Sequence, residues 1–273
     1  MKLALNGATT MKADLATDIK AASAAGFDYL EIWSAKLQSF LRTNTAYDLK
    51  RILLEQGIAP YSINSIEQIT FRDGDGRRSL HSECDELCRI AAEINCPYLV
   101  VVPGRLSFDA SREEVIKESV GTLTEMADIA QTFSVGLAFE FIGQPDCSVQ
   151  TLALASEIVQ LVDRENVGLV IDSFHFHAGG STIESIEALD PEKLFIFHIN
   201  DAEDLPREQL EDRHRLLPGL GILPLREIIS AFRRIRYDRV TSVEIFRPEY
   251  WERDPFELAH DARSAVVQVL ASA

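Results

Sequence analysis

The chain has 273 residues, 46% of them hydrophobic and 26% charged, with a formal net charge of −16. That balance supplies a large core, and no apolar run reaches the roughly 18 residues a membrane span requires. Phosphate backbones select Lys/Arg-rich faces, so so acidic a chain is expected to take small neutral molecules and no nucleic acid.

The N-terminal segment, MKLALNGATT, turns polar too soon for a secretory signal and reads as a first strand at 2–6, which points to the cytoplasm. Seven more strand-like runs follow, at 28–32, 60–64, 98–102, 136–141, 167–172, 194–199 and 240–245. They are short, rich in Val, Ile, Leu and aromatics, and almost continuously apolar, as strands buried on both faces are. Amphipathic stretches come after them, near 14–25, 45–56, 79–94, 111–133, 149–162, 182–188, 224–235 and 255–271. Ser111 with Glu114 three residues on resembles a capping box, and Gly26 and Gly57 stand where helices end. Eightfold βα alternation predicts a single-domain (β/α)₈ TIM barrel over residues 1–273. An open doubly wound sheet is the weaker reading, because no Gly-x-Gly-x-x-Gly opens the first helix and Gly219–Leu220–Gly221 is too little to replace it.

Two connections are long, 65–78 and 200–223; both follow strands, so both are expected at the C-terminal face of the barrel as lid candidates. Asp73-Gly74-Asp75-Gly76 reads as an ordinary turn, since the remaining ligands of a calcium loop are missing. Cys84 and Cys88 lie on an apolar helical stripe with Leu80, Leu87 and Ala91, which makes them core residues. Arg233, Arg234 and Arg236 read as the basic end of a helix.

Four polar residues close four consecutive strands: Glu140 in GLAFEF, Asp172 in VGLVID, His198 in LFIFHI and Glu244 in VTSVEI. Their separations of 32, 26 and 46 residues place one on each βα unit from the fifth to the eighth, and in a barrel such strand ends converge. A buried carboxylate costs several kcal/mol unless it is paired or metal-bound, so four such residues in succession predict a metal site. Three carboxylates and one imidazole suit a single divalent ion, Mn²⁺ first, with Mg²⁺, Co²⁺ and Zn²⁺ also compatible.

The stretches AFEF, GLVIDSFHFH, FIFHIND and SVEIFRPEYW resemble the metal-binding strand ends of the xylose-isomerase-like barrels, the superfamily of sugar isomerases, epimerases and endonuclease IV. Within it the chain is most similar to the inosose isomerase branch, over essentially its whole length. The resemblance implies that Glu140, Asp172, His198 and Glu244 are the metal ligands, in agreement with the reading from the residues. It further implies a divalent-metal-dependent isomerase of inositol catabolism, moving the carbonyl of 2-keto-myo-inositol to the adjacent carbon through a metal-stabilised enediolate. Glu140 and Glu244 are the acid/base candidates. His175, in the loop after Asp172, is a candidate for binding a substrate hydroxyl, and Arg215 resembles a family arginine that reaches into the site. Asn6, Glu31, Trp33 and Asn64 end strands one to three and are expected around the pocket, while His177, Arg247 and Glu249 read as loop structure.

Ketose 3-epimerases of the superfamily carry a glutamate and an arginine where this chain has Asp146 and Asp204, which favours the inosose branch. Inosose isomerase relatives tend to carry a glutamate where this chain has Gly7, a departure from that branch in the loop after the first strand. Ketose 3-epimerase and inosose dehydratase are the alternative activities. A DNA-repair hydrolase like endonuclease IV needs a histidine-rich three-zinc cluster, against six histidines in all here. A homodimer is compatible with such a chain, and no residue pattern specifies it.

Overall fold

The computed structural model describes residues 1–106 and 109–273. Eight parallel strands close into a barrel: β1 Lys2–Asn6, β2 Tyr29–Trp33, β3 Ala59–Ile66, β4 Tyr98–Val101, β5 Gly136–Glu140, β6 Val167–Asp172, β7 Leu194–Ile199 and β8 Val240–Val243. Each pairs with its neighbours in sequence, and β1 closes the ring on β8 with Lys2 opposite Val240 and Leu5 opposite Val243. The strands are apolar on both faces because one face fills the barrel and the other packs on the surrounding helices.

The helices are α1 Leu15–Ala25, α2 Ser34–Leu41, α3 Ala46–Gln56, α4 Gly74–Ile94, α5 Arg112–Thr132, α6 Leu152–Val162, α7 Ser173–Ala178, α8 Ile183–Glu187, α9 Leu225–Arg234 and α10 Pro255–Ser272. The Ser111–Glu114 capping box is formed, and Gly26 and Gly57 end α1 and α3 at φ of 83° and 65°. Cys84 and Cys88 are buried in the core. The structure adds α2, which the sequence reading left unassigned, and makes a short helix, α7, of the segment after Asp172 that was expected as loop. It also starts α4 at Gly74: the Asp-Gly-Asp-Gly segment opens a helix, with the Asp73 side chain accepting from the Gly76 N–H.

The two ends of the barrel are built differently. At the N-terminal end Tyr29, Tyr61, Tyr98 and Phe195 stack across the interior with ring centroids 5.1, 5.2 and 4.7 Å apart. Arg239 lies over Phe195 and donates to the Tyr98 hydroxyl at 2.8 Å, so the plug is aromatic inside and polar at its rim. At the C-terminal end the connection after β1 is tied down by a buried ion pair. Lys36 Nζ donates to Asp18 Oδ2 at 2.7 Å, to Gly7 O at 2.9 Å and to Thr10 O at 2.8 Å. Thr9 Oγ1 in turn donates to Val243 O and accepts from the Ile245 N–H, bracketing Glu244.

Candidate metal centre

Glu140 and Asp172 are the last residues of β5 and β6, His198 is the last but one of β7, and Glu244 follows β8 by one position. Register does the rest: Asp172 pairs with His198 across β6 and β7, so their side chains leave the sheet on the same face. All four are buried, and one ligand atom from each lies within 4.8 Å of the others.

Three of the four side chains are braced by further polar groups. His198 Nδ1 stands 3.1 Å from Glu140 Oε1 and 3.3 Å from Glu244 Oε2, while its Nε2 is 2.9 Å from Glu31 Oε2. That carboxylate is the buried counter-charge beside the far nitrogen, and Glu31→Gln is expected to weaken divalent-metal affinity about 10–100-fold, measured by competition with a chelating dye. Glu244 Oε1 accepts from the amides of Asn6 at 3.0 Å and Asn64 at 2.9 Å. Asp172 Oδ2 accepts from Asn200 Nδ2 and from Arg215, both at 2.7 Å, and its Oδ1 caps α7 through the His175 N–H.

The donor set fits a divalent cation. Four buried carboxylates, Glu31, Glu140, Asp172 and Glu244, face one guanidinium and one imidazole. Even with His198 protonated the carboxylates outnumber the cations, an excess of negative charge that a divalent ion would offset. Burial pushes the Glu140 carboxyl up to about 8, with Glu244 adding to the push and His198 opposing it. Burial alone would lower the His198 imidazole; Glu244, Glu31 and Glu140 override that and hold it well above its ordinary value. Burial acts to raise Glu244 too, but His198 and Arg215 keep it below the usual carboxylate range. With the Glu140 carboxyl and the His198 imidazole both pushed up, an entering cation is expected to displace protons. Affinity is expected to climb with pH up to about 8, with proton release detectable by calorimetry in buffers of different ionisation enthalpy. A flat profile between about pH 6 and 8 would refute this protonation state.

The cluster opens on a cavity of about 340 Å³, room for one monosaccharide-sized ring. Trp33, Asn64, His175 and Arg215 line it, together with Glu140 and Glu244. Asn6 and Glu31 instead lie behind the ligands, as supports. His177 is half-buried, and Arg247 pairs with Glu203 and Glu249 at the rim. Arg215 is brought in by the 200–223 connection, which is pinned by a two-residue antiparallel ladder, Asp201–Ala202 on Arg215–Leu216. Asn200 and Asp212, which the sequence reading did not single out, are also at the site: Asn200 on Asp172, Asp212 on Arg215 at 3.0 Å. Asn200 carried a signal, an amide two residues past His198 in FHIND; Asp212 had only an unremarkable Asp-x-x-Arg spacing.

The model of the family described as xylose isomerase-like TIM barrel matches residues 19–266. The chain belongs to that family. Among its relatives, the inosose isomerase of Bacillus subtilis (strain 168) is 39% identical over 99% of this chain and 98% of its own. That of Bacillus velezensis is also 39% identical, over 98% and 97%. A crystal structure of the IolI protein with a binding zinc atom superposes with a TM-score of 0.97 at 39% identity, covering 100% of this chain and 99% of that one. The zinc atom of that structure is consistent with a donor set able to hold a divalent cation here.

Proposed function

We propose that the protein is a divalent-metal-dependent inosose isomerase that interconverts 2-keto-myo-inositol and 1-keto-chiro-inositol. The observation that carries this reading is the buried cluster Glu140–Asp172–His198–Glu244 at the mouth of a ring-sized cavity, in a chain 39% identical to inosose isomerases over nearly its full length. Glu140, Asp172, His198 and Glu244 would hold the ion, which we take to be Mn²⁺ from the three hard carboxylates. When bound, the ion supplies positive charge that offsets the negative charge developing on the carbonyl and neighbouring hydroxyl oxygens as the C–H bond breaks.

The carboxylates differ in freedom to move a proton. Glu244 has one oxygen on two amides and the other on His198 and Arg215, so it serves as a fixed anionic ligand. Among the described residues Glu140 accepts a side-chain hydrogen bond only from His198 Nδ1, on its Oε1. It is the residue we assign to take the proton from the carbinol carbon and return one to the former carbonyl carbon, while the carbinol hydroxyl gives up its proton and the former carbonyl oxygen gains one, exchanged through solvent. His175 borders the cavity as a donor to a substrate oxygen, and Arg215 aligns the groups around it.

The test is proton NMR of scyllo-inosose in D₂O with metal-stripped protein, then with protein reconstituted with Mn²⁺, Zn²⁺, Co²⁺ or Mg²⁺, the ions removed before acquisition. Metal-dependent appearance of a second inosose carrying deuterium at the reacting carbon is expected. Loss of water from the substrate would instead indicate a dehydratase, and an unchanged substrate would sink the inosose assignment.

A further inference from the structure

A guanidinium has five N–H bonds, and every one of them in Arg215 meets an acceptor. Nη1 donates to Asp172 Oδ2 at 2.7 Å and Glu244 Oε2 at 3.2 Å; Nε donates to Asp212 Oδ1 at 3.2 Å. Nη2 donates to the same Asp212 oxygen and to His175 Nε2, both at 3.0 Å. The rings of Phe174 and Phe246 lie against the guanidinium, 4.9 and 5.1 Å from its carbon. It is buried and fully engaged, and so organises its neighbours.

One of those bonds fixes a proton. Arginine has no lone pair to offer, so its contact with His175 requires Nε2 to be the acceptor, which leaves the proton of the neutral ring on Nδ1. That Nδ1 is buried and has no partner among the described residues, and His175 borders the cavity. Asp212 takes two of the five N–H bonds on its Oδ1, and its Oδ2 accepts from Gln144 Nε2 at 3.2 Å, from the connection after β5.

We propose that Asp212 is a positioning residue: by holding one edge of Arg215 it turns the other onto His175 Nε2 and keeps His175 an Nδ1–H donor for a substrate oxygen. The donor role rests on the polyol-ketone reading above; the tautomer does not.

The experiment uses ¹⁵N-histidine-labelled protein loaded with diamagnetic Zn²⁺. Long-range ¹H–¹⁵N correlation spectra report which ring nitrogen carries the proton, with His175 assigned from a His175→Gln sample. Wild type should show Nδ1–H, and Asp212→Ala should show Nε2–H or exchange between the two. Asp212→Asn, which keeps an acceptor for Arg215, should restore the wild-type tautomer. In calorimetry with the same metal-loaded proteins, myo-inositol should bind about tenfold more weakly to Asp212→Ala, the loss of one well-placed hydrogen bond. A wild-type His175 protonated on Nε2, or an Asp212→Ala protein unchanged in tautomer or in polyol affinity, would overturn the proposal. Failure of the wild type to isomerise scyllo-inosose, with the tautomer behaving as described, would reject the substrate and leave the positioning role of Asp212 standing.

Discussion

Glu140→Gln is expected to lower kcat for inosose isomerisation by about 10²–10⁴-fold, the range associated with a positioned general acid–base. The substitution keeps the shape of the side chain and one oxygen facing the cluster, but a carboxamide cannot accept and return a proton at neutral pH. The assay must run at saturating metal, because one anionic ligand has been lost and metal affinity falls with it. Wash-in of solvent deuterium into substrate should fall in parallel with turnover. Glu244→Gln is the control: its carboxylate is immobilised by Asn6, Asn64 and Arg215, so the same change should act mainly through metal affinity. If saturating metal leaves Glu140→Gln within about tenfold of wild type, below the usual worth of a general base, Glu140 does not carry the proton.

Lys36→Met is expected to destabilise the fold by about 3–5 kcal/mol, the cost of removing one partner from a buried charged pair. The side chains of Lys36 and Asp18 are 7% and 1% exposed, and the ammonium also satisfies two carbonyls, Gly7 O and Thr10 O. Without it Asp18 keeps the Thr10 hydroxyl as its remaining side-chain donor. At roughly 2–4 °C per kcal/mol for a chain somewhat shorter than this one, calorimetry should show the melting temperature lower by about 10 °C. Adding Asp18→Asn should recover part of that loss, because no unpaired charge then stays buried. An unchanged melting temperature in Lys36→Met would show that the pair contributes nothing net. The loop it ties down brackets Glu244 through Thr9, so surviving activity should also become more sensitive to temperature.

How far the sequence discloses the molecule depends on the kind of interaction involved. The barrel was legible because strands buried on both faces are apolar throughout, and each of four of them then meets one polar residue at its end. Those four residues are the cluster that the structure assembles. The helix α2 was illegible because β2 runs straight into it: Trp33 is its N-cap and makes no side-chain capping bond, so no start signal exists. In α7 the cap is a site residue. Asp172 accepts the His175 N–H, and the Ser-Phe-His-Phe-His alternation that follows looks like more strand. Asp212 and Gln144 escaped notice because loop-to-loop side-chain contacts leave no period in a sequence; they exist only after the barrel has brought two distant connections together.

The aromatic plug separates two kinds of selection. Tyr29, Tyr61, Tyr98, Phe195 and Arg239 pack together, with Arg239 also paired to Glu192, at the opposite end of the barrel from the cavity. The connections that choose the substrate can thus accumulate changes while the far end underwrites folding, and a damaged plug costs thermal tolerance before it costs specificity. For engineering, the plug is the place to add stability in advance, and the rim formed by the 67–73 and 200–223 connections is the place to alter residues for new polyol ketones.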